Sequence, residues 1–352
     1  MFIFDAHLDL AYNALRGRDV LRPAREQTPD SEGIPSVGLP DLRAGGVGLI
    51  CATIFCAPTS PKEPGYRTPE EAHAMGLDQL RWYRQQADAG QFSLIGRRDQ
   101  LPSGTGLRRA QSSRVSPVQS APTRQGGAGP INAILLLEGA DPLRSPADVK
   151  AFVDAGVRIV GLAWKRTRYA GGTGAPGPLT SEGAELVREL DRFGIIHDAS
   201  HLAEESFWQL LDLTGGRTIA SHSNCRSIIP TDRQLTDAMI RAIAQRDGVI
   251  GINFYDRFLI PPAEYAHRRA TLQDVVAHMK HMCDLIGDAA HVAIGTDMDG
   301  GLGREQIPKE IETSADLPRV ADALAAAGFS DPDVLGIIGG NWLRFFTSAL
   351  PE

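Results

Sequence analysis

Eight short runs of apolar and β-branched residues recur along this chain, separated by longer stretches with apolar residues at helical spacing. No other feature constrains the fold as tightly, because strands alternating with helices pair in parallel, and eight such units close on themselves. The runs are Phe2–Ala6, Gly48–Phe55, Asn132–Glu138, Arg158–Ala163, Gly194–Asp198, Thr218–Ser221, Val249–Asn253 and His291–Thr296. Most are almost continuously apolar, as strands must be when helices cover them outside and side chains fill the interior. The expectation is an α/β fold, a (β/α)₈ TIM-like barrel. A length of 352 residues suits one catalytic barrel domain over 1–352.

Helical patterns fall at Pro69–Ala89, Ser181–Phe193, Ala203–Leu213, Thr236–Arg246, Thr271–Ile286, Ala315–Ala327 and Pro332–Leu343. Thr271 is a candidate N-cap ahead of Leu272, Val275, Val276, Met279 and Met282, which share one helical face. Residues 102–130 break the alternation, being rich in Ser, Gly, Gln, Arg and Pro, and read as a low-complexity surface insertion.

Composition narrows the partners. A formal charge of −7 without a long Lys/Arg run offers no electrostatic footprint for nucleic acid. No apolar run approaches the ~20 residues needed to span a bilayer, so no membrane partner is expected. Cys51, Cys56, Cys225 and Cys283 are scattered, with neither disulfide spacing nor a Cys-x-x-Cys pair, and the expected location is the cytosol.

The chemistry gathers at strand ends. His7 and Asp9 are two apart on an extended segment, and so share one face. Glu138 closes an apolar strand, where a carboxylate is costly unless something compensates it. A metal ion would do so; a solvated turn carboxylate before Gly139 is the alternative. His201 and His222 follow consecutive strands, and Asp297 follows the last one. Each alone reads as structural, but six such residues on five strands point to a metal-dependent hydrolase at the carboxyl end of a barrel. Three other features carry less: Gly171–Gly174 reads as a flexible mouth loop, His278 and His281 as helix surface, and His197 as a support for His201 or simple packing.

Taken in order, Asp5-Ala6-His7-Leu8-Asp9, Leu137-Glu138-Gly139, Asp198-Ala199-Ser200-His201, Ser221-His222-Ser223, Asn253-Phe254-Tyr255 and Gly295-Thr296-Asp297-Met298-Asp299-Gly300 resemble the motifs of the membrane (renal) dipeptidase family, the M19 metallopeptidases of the amidohydrolase superfamily. The resemblance implies two Zn²⁺ ions, one held by His7, Asp9 and Glu138, the other by Glu138, His201 and His222, with a hydroxide between them as nucleophile. It implies that Asp297 shuttles the proton, that Arg233 grips a substrate carboxylate, and that Tyr255 lines the pocket. An ordinary surface arginine and a packing tyrosine are the residue-level alternatives. The substrate would be a dipeptide or a related small carboxylate-bearing amide, and the assembly a homodimer. Cobalt or manganese suits the same donors.

One departure stands out: Trp164 occupies the place after the fourth run where the family carries a substrate-contacting histidine. Indole donates one hydrogen bond and carries no charge. Lys165, Arg166 and Arg168 are candidates to supply that charge. Two rival functions follow, an amidohydrolase acting on N-acyl amino acids or lactams, and a metal-containing scaffold without catalysis.

Overall fold

The computed structural model describes residues 1–60, 64–102 and 129–352. Most of the insertion expected at 102–130 therefore lies outside the described residues. Among them are nine strands: β1 (Ile3–Leu8), β2 (Val47–Phe55), β3 (Phe92–Leu94), β4 (Ile131–Glu138), β5 (Val157–Gly161), β6 (Ile196–Asp198), β7 (Thr218–Ile219), β8 (Ile250–Ile252) and β9 (Val292–Ile294).

The strands form a parallel (β/α)₈-type barrel. The order β1-β2-β4-β5-β6-β7 is one continuous ladder, a parallel bridge from Ala220 to Ile250 carries it to β8, and β8 pairs with β9. Beyond β9, Asp297 N donates to His7 O at 3.2 Å, and the Asp5 carboxylate accepts from Thr296 N at 2.8 Å and Thr296 Oγ1 at 2.6 Å. These bonds return the ring to β1. The eight apolar runs each overlap one of these strands: the last four contain theirs, whereas β1 continues to Leu8 and β2, β4 and β5 each begin one residue before their runs. β3 was not anticipated, since three residues alongside Ile131–Ala133 are too few for a periodic pattern.

Period-two burial sets up the mouth. On β4, Ile134 and Leu136 face an interior cluster with Leu49, Ile159, Ile196 and Ile219, whereas Ala133, Leu135 and Leu137 face the helices. Glu138 is next in the inward row. The opposite end is plugged by the last helix, Asn341–Ala349: Phe346 stacks on Phe4 at 5.3 Å, and Trp342 Nε1 donates to Ile294 O at 2.8 Å. With aromatic rings filling one end, polar side chains converge only at the carboxyl ends of the strands.

Two expected helices are divided. The pattern at Pro332–Leu343 is split into Asp331–Leu335, a π-turn Gly336–Gly340 and the plug helix. Gly339 packs so closely on β1 that a Cβ there would lie 3.1 Å from Phe4 N. The helix at Ala315–Ala327 begins only at Arg319, preceded by a short 3₁₀ turn, because Pro318 has no N–H to continue a ladder. Thr271 caps its helix as expected, accepting from Asp274 N while Asp274 reaches back to Thr271 N.

Candidate metal centre

All five expected ligands and Asp297 converge. Glu138 Oε2 lies 3.2 Å from His7 Nε2, while Oε1 lies 3.1 Å from His201 Nε2 and 3.6 Å from His222 Nε2. Asp9 Oδ2 and Asp297 Oδ1 each lie 4.0 Å from His7 Nε2. Within this cluster His7, Asp9 and Glu138 form one group able to hold an ion, Glu138, His201 and His222 a second, and His7, His222 and Asp297 a third. Glu138 belongs to the first two. Every member is at least nine-tenths buried.

The period-two reading of His7 and Asp9 needs correction. β1 ends at Leu8 with a register irregularity between Asp5 and Leu8, and Asp9 is already the N-cap residue of the helix Leu10–Leu15. Both still reach the centre, His7 from the irregular end of β1 and Asp9 from the turn that follows it. His201 and Asp297 follow β6 and β9 with φ of 65° and 59°. A non-glycine residue held there costs about 1–3 kcal/mol and persists where the surroundings over-determine it.

Electrostatics favour a cation. Burial alone would strip the proton from His7, but the carboxylates of Glu138, Asp9 and Asp297 outweigh it and push its pKa up to about 10. Burial lowers His201 to about 4 and holds His222 well below its ordinary value. Burial also raises Asp9 well above the usual range, and raises Asp297 to about 7 against the pull of His7 and Asn253. The Glu138 carboxyl is driven far down despite burial, chiefly by His7 and His201. Three acids thus crowd one imidazolium, Asp9 Oδ1 is buried without a hydrogen-bond partner, and two Nε2 atoms of neutral imidazoles face each other at 3.0 Å. That donor set fits a pair of divalent cations.

Glu138, Asp9, His201, Asp297, Trp164 and Tyr255 line a cavity of about 280 Å³, with Tyr12, Phe55 and Phe258 among its walls. Trp164 meets Phe55 edge to face at 5.1 Å. Arg233 is set back from that lining at 3 % exposure: Nη1 donates to Ser223 Oγ at 3.0 Å, Nη2 to His222 O at 2.6 Å, and the guanidinium lies 5.3 Å over the Phe258 ring. It is therefore not a surface arginine, and its Nε is buried without a partner.

The profile of the family described as "Membrane dipeptidase (Peptidase family M19)" matches residues 1–350. The chain belongs to the M19 family. Two solved metallopeptidase structures superpose over nearly the whole of this M19 chain. A metallopeptidase described as dipeptidase AC has TM-score 0.78 and 25% identity, covering 100% of this chain and 99% of that one. A metallopeptidase from Rhodobacter sphaeroides, liganded with a phosphinate mimic of L-Ala-D-Ala, has TM-score 0.76 and 25% identity, covering 99% of each. An uncharacterized protein of Klebsiella pneumoniae is 33% identical over 206 residues, 56% of this chain and 74% of its own length. The chain spans about half the length of the curated fungal dipeptidases it matches.

Several lesser expectations change. His278 is fully buried, accepting from Cys225 N at 3.1 Å, because the helix Leu272–Ile286 turns that face inward. His281 is half-buried against Asp237 at 2.9 Å. His197 bonds Asp191 at 2.7 Å and has no contact with His201. Arg166 and Arg168 are engaged by Pro176 O and Asp141, and Lys165 lies over the outer Trp164 ring; none of the three lines the cavity. The Gly171–Gly174 loop is tightly packed, since a Cβ at Gly172 would lie 2.4 Å from Lys165 O. Its Thr173 Oγ1 meets His201 Nδ1 at 3.0 Å. That role for Thr173, and those of Asn253, Asp198 and Ser221, escaped sequence reasoning. For Asp198 and Ser221 a signal existed: each lies two residues past an inward isoleucine, Ile196 and Ile219.

Proposed function

We propose that this chain is a binuclear metallodipeptidase, cleaving the amide bond of dipeptides or closely related small carboxylate-bearing amides. The observation that carries the proposal is the sharing of Glu138 between two three-ligand groups, with Asp297 beside them. When bound, two divalent cations, zinc by the mixed imidazole and carboxylate donors, would acidify water and polarise the amide carbonyl. His7, Asp9 and Glu138 would hold one, and Glu138, His201 and His222 the other.

The chain's own residues supply the rest. Asp297, buried and held by Asn253, takes a proton from the attacking water as the C–O bond forms, and delivers it to the amide nitrogen as the C–N bond breaks. Arg233, buried with one N–H free of partners, presents a cation for the substrate carboxylate. Tyr255 and Trp164 shape the cavity, and its volume suits small substrates. The dipeptide mimic bound by the Rhodobacter relative supports that substrate class.

Trp164 favours one second reading, an amidohydrolase of altered preference acting on N-acyl amino acids or lactams. A panel of dipeptides, N-acyl amino acids and lactams, assayed with and without added zinc, separates the two. Metal-dependent amine release from dipeptides is the expected result. Turnover confined to N-acyl or lactam substrates transfers the function to the rival, and none at all with cations bound leaves a scaffold.

A further inference from the structure

We propose that Ser221 is the positioning residue for both halves of the centre, its single hydroxyl setting the tautomer of one histidine in each ligand group. The proposal rests on the two-cation function above.

Ser221 Oγ lies 2.5 Å from Asp198 Oδ2, 2.7 Å from His222 Nδ1, 3.2 Å from His7 Nδ1 and 3.4 Å from Ser200 Oγ. A hydroxyl has one proton to donate and two lone pairs to accept with, whereas a carboxylate oxygen only accepts. Asp198 therefore takes the Ser221 proton. Its other oxygen, Oδ1, is already held by Ser221 N at 2.9 Å and Ser200 N at 3.0 Å, so the carboxylate cannot turn away.

With its proton committed, Ser221 Oγ is an acceptor toward its remaining neighbours, the two imidazoles at 2.7 and 3.2 Å and the more distant Ser200 hydroxyl at 3.4 Å. Both Nδ1 atoms must then carry hydrogen, which leaves each Nε2 as the nitrogen that faces Glu138 and would meet a cation, His7 giving up its Nε2 proton as the cation enters. The rings are stacked accordingly, centroids 3.6 Å apart and planes 31° from parallel, so that one oxygen serves both Nδ1 atoms and one carboxylate faces both Nε2 atoms. His7 shares one ligand group with Asp9 and Glu138, and His222 another with Glu138 and His201, while the two histidines also meet in a third group with Asp297. His201 is supported separately, through Thr173. Ser221, His7, His222 and Asp198 are all buried, where a polar group left without a partner is costly.

Removing the hydroxyl should therefore loosen both cations together, and removing the Thr173 hydroxyl only one. The test is stepwise binding of zinc and cobalt(II) to the full, metal-stripped chain, followed by calorimetry and chelator competition, for wild type, Ser221→Ala, Asp198→Asn and Thr173→Ala. In Asp198→Asn the amide oxygen stays on the two backbone N–H groups, so its NH₂ faces Ser221 and reverses the donor direction without changing size. It serves if Ser221→Ala fails to fold.

The expected result is a loss of about 10–100-fold in both steps for Ser221→Ala and Asp198→Asn, and in one step for Thr173→Ala. In the dicobalt protein, the exchangeable paramagnetically shifted Nδ1–H proton signals of two histidines should vanish in Ser221→Ala. Two unchanged steps in both hub variants, or weakening of one step alone, overturns the proposal. A wild-type chain that binds no cation overturns the two-cation function itself, and with it this inference.

Discussion

Asn253 Nδ2 donates to Asp297 Oδ2 at 2.8 Å, and thereby leaves Asp297 Oδ1 as the oxygen that faces His7 Nε2 at 4.0 Å. The same asparagine is fixed at its other end, because its Oδ1 accepts from Tyr255 N at 2.7 Å. Asp297 is thus aimed as well as buried. Asp297→Asn should reduce turnover by about 10²–10⁴-fold while cation content stays at the wild-type level. Parallel metal analysis and steady-state kinetics check it; lost metal would make Asp297 a ligand and not a proton carrier.

Cation binding should strengthen with pH. In the metal-free protein His7 keeps its proton up to about 10, so below that pH an incoming cation must displace it. Each pH unit of increase makes that displacement about tenfold easier. Affinity measured by chelator competition at several pH values between 6 and 8 should therefore rise at least about tenfold per unit. A flat profile would show that His7 is already neutral.

Asp5 bears on the stability of the metal-free fold. Burial raises its carboxyl from 3.8 to about 6, although bonds from Thr296 pull the other way. Between those values the folded state holds a proton that the unfolded state has released, so stability falls as pH rises from about 4 to about 6. Asp5→Asn keeps the acceptor for Thr296 N and cannot ionise. Denaturant unfolding of the stripped proteins should show the wild type losing up to about 3 kcal/mol relative to the variant across that window. A parallel pH dependence of the two would refute it.

Trp342 closes the barrel floor, fully buried between Phe4, Phe345 and Phe346. Trp342→Ala removes that packing and the bond to Ile294 O, and should lower unfolding stability by about 3–5 kcal/mol. Chemical denaturation measures it. A loss under about 1 kcal/mol would mean that the floor collapses around the gap.

Trp164→His tests whether the departure from the family pattern limits dipeptide cleavage. Trp164 already lines the cavity, 6.3 Å from the His201 ring, so an imidazole placed there gains a positive charge that the indole cannot carry. Dipeptide turnover should rise by on the order of 10²-fold. An unchanged rate would mean that Trp164 is only a wall.

The ring of parallel strands and the residues that gather at its mouth were legible in order along the chain. Apolar runs such as Ile131–Leu137 are forced inside, and a carboxylate or imidazole at their ends is costly without a partner. Those constraints are local, so the sequence by itself determined that His7, Asp9, Glu138, His201, His222 and Asp297 stand at strand ends. Which of them touch was decided only by tertiary structure, because closing the ring sets the distances between side chains remote in sequence. The inward turn of His278, the burial of Arg233, the grip of Asn253 on Asp297 and the place of Ser221 between His7 and His222 all arise that way. A hydroxyl's neighbours depend on two strands meeting in register, and no periodicity within one strand encodes its partner's register.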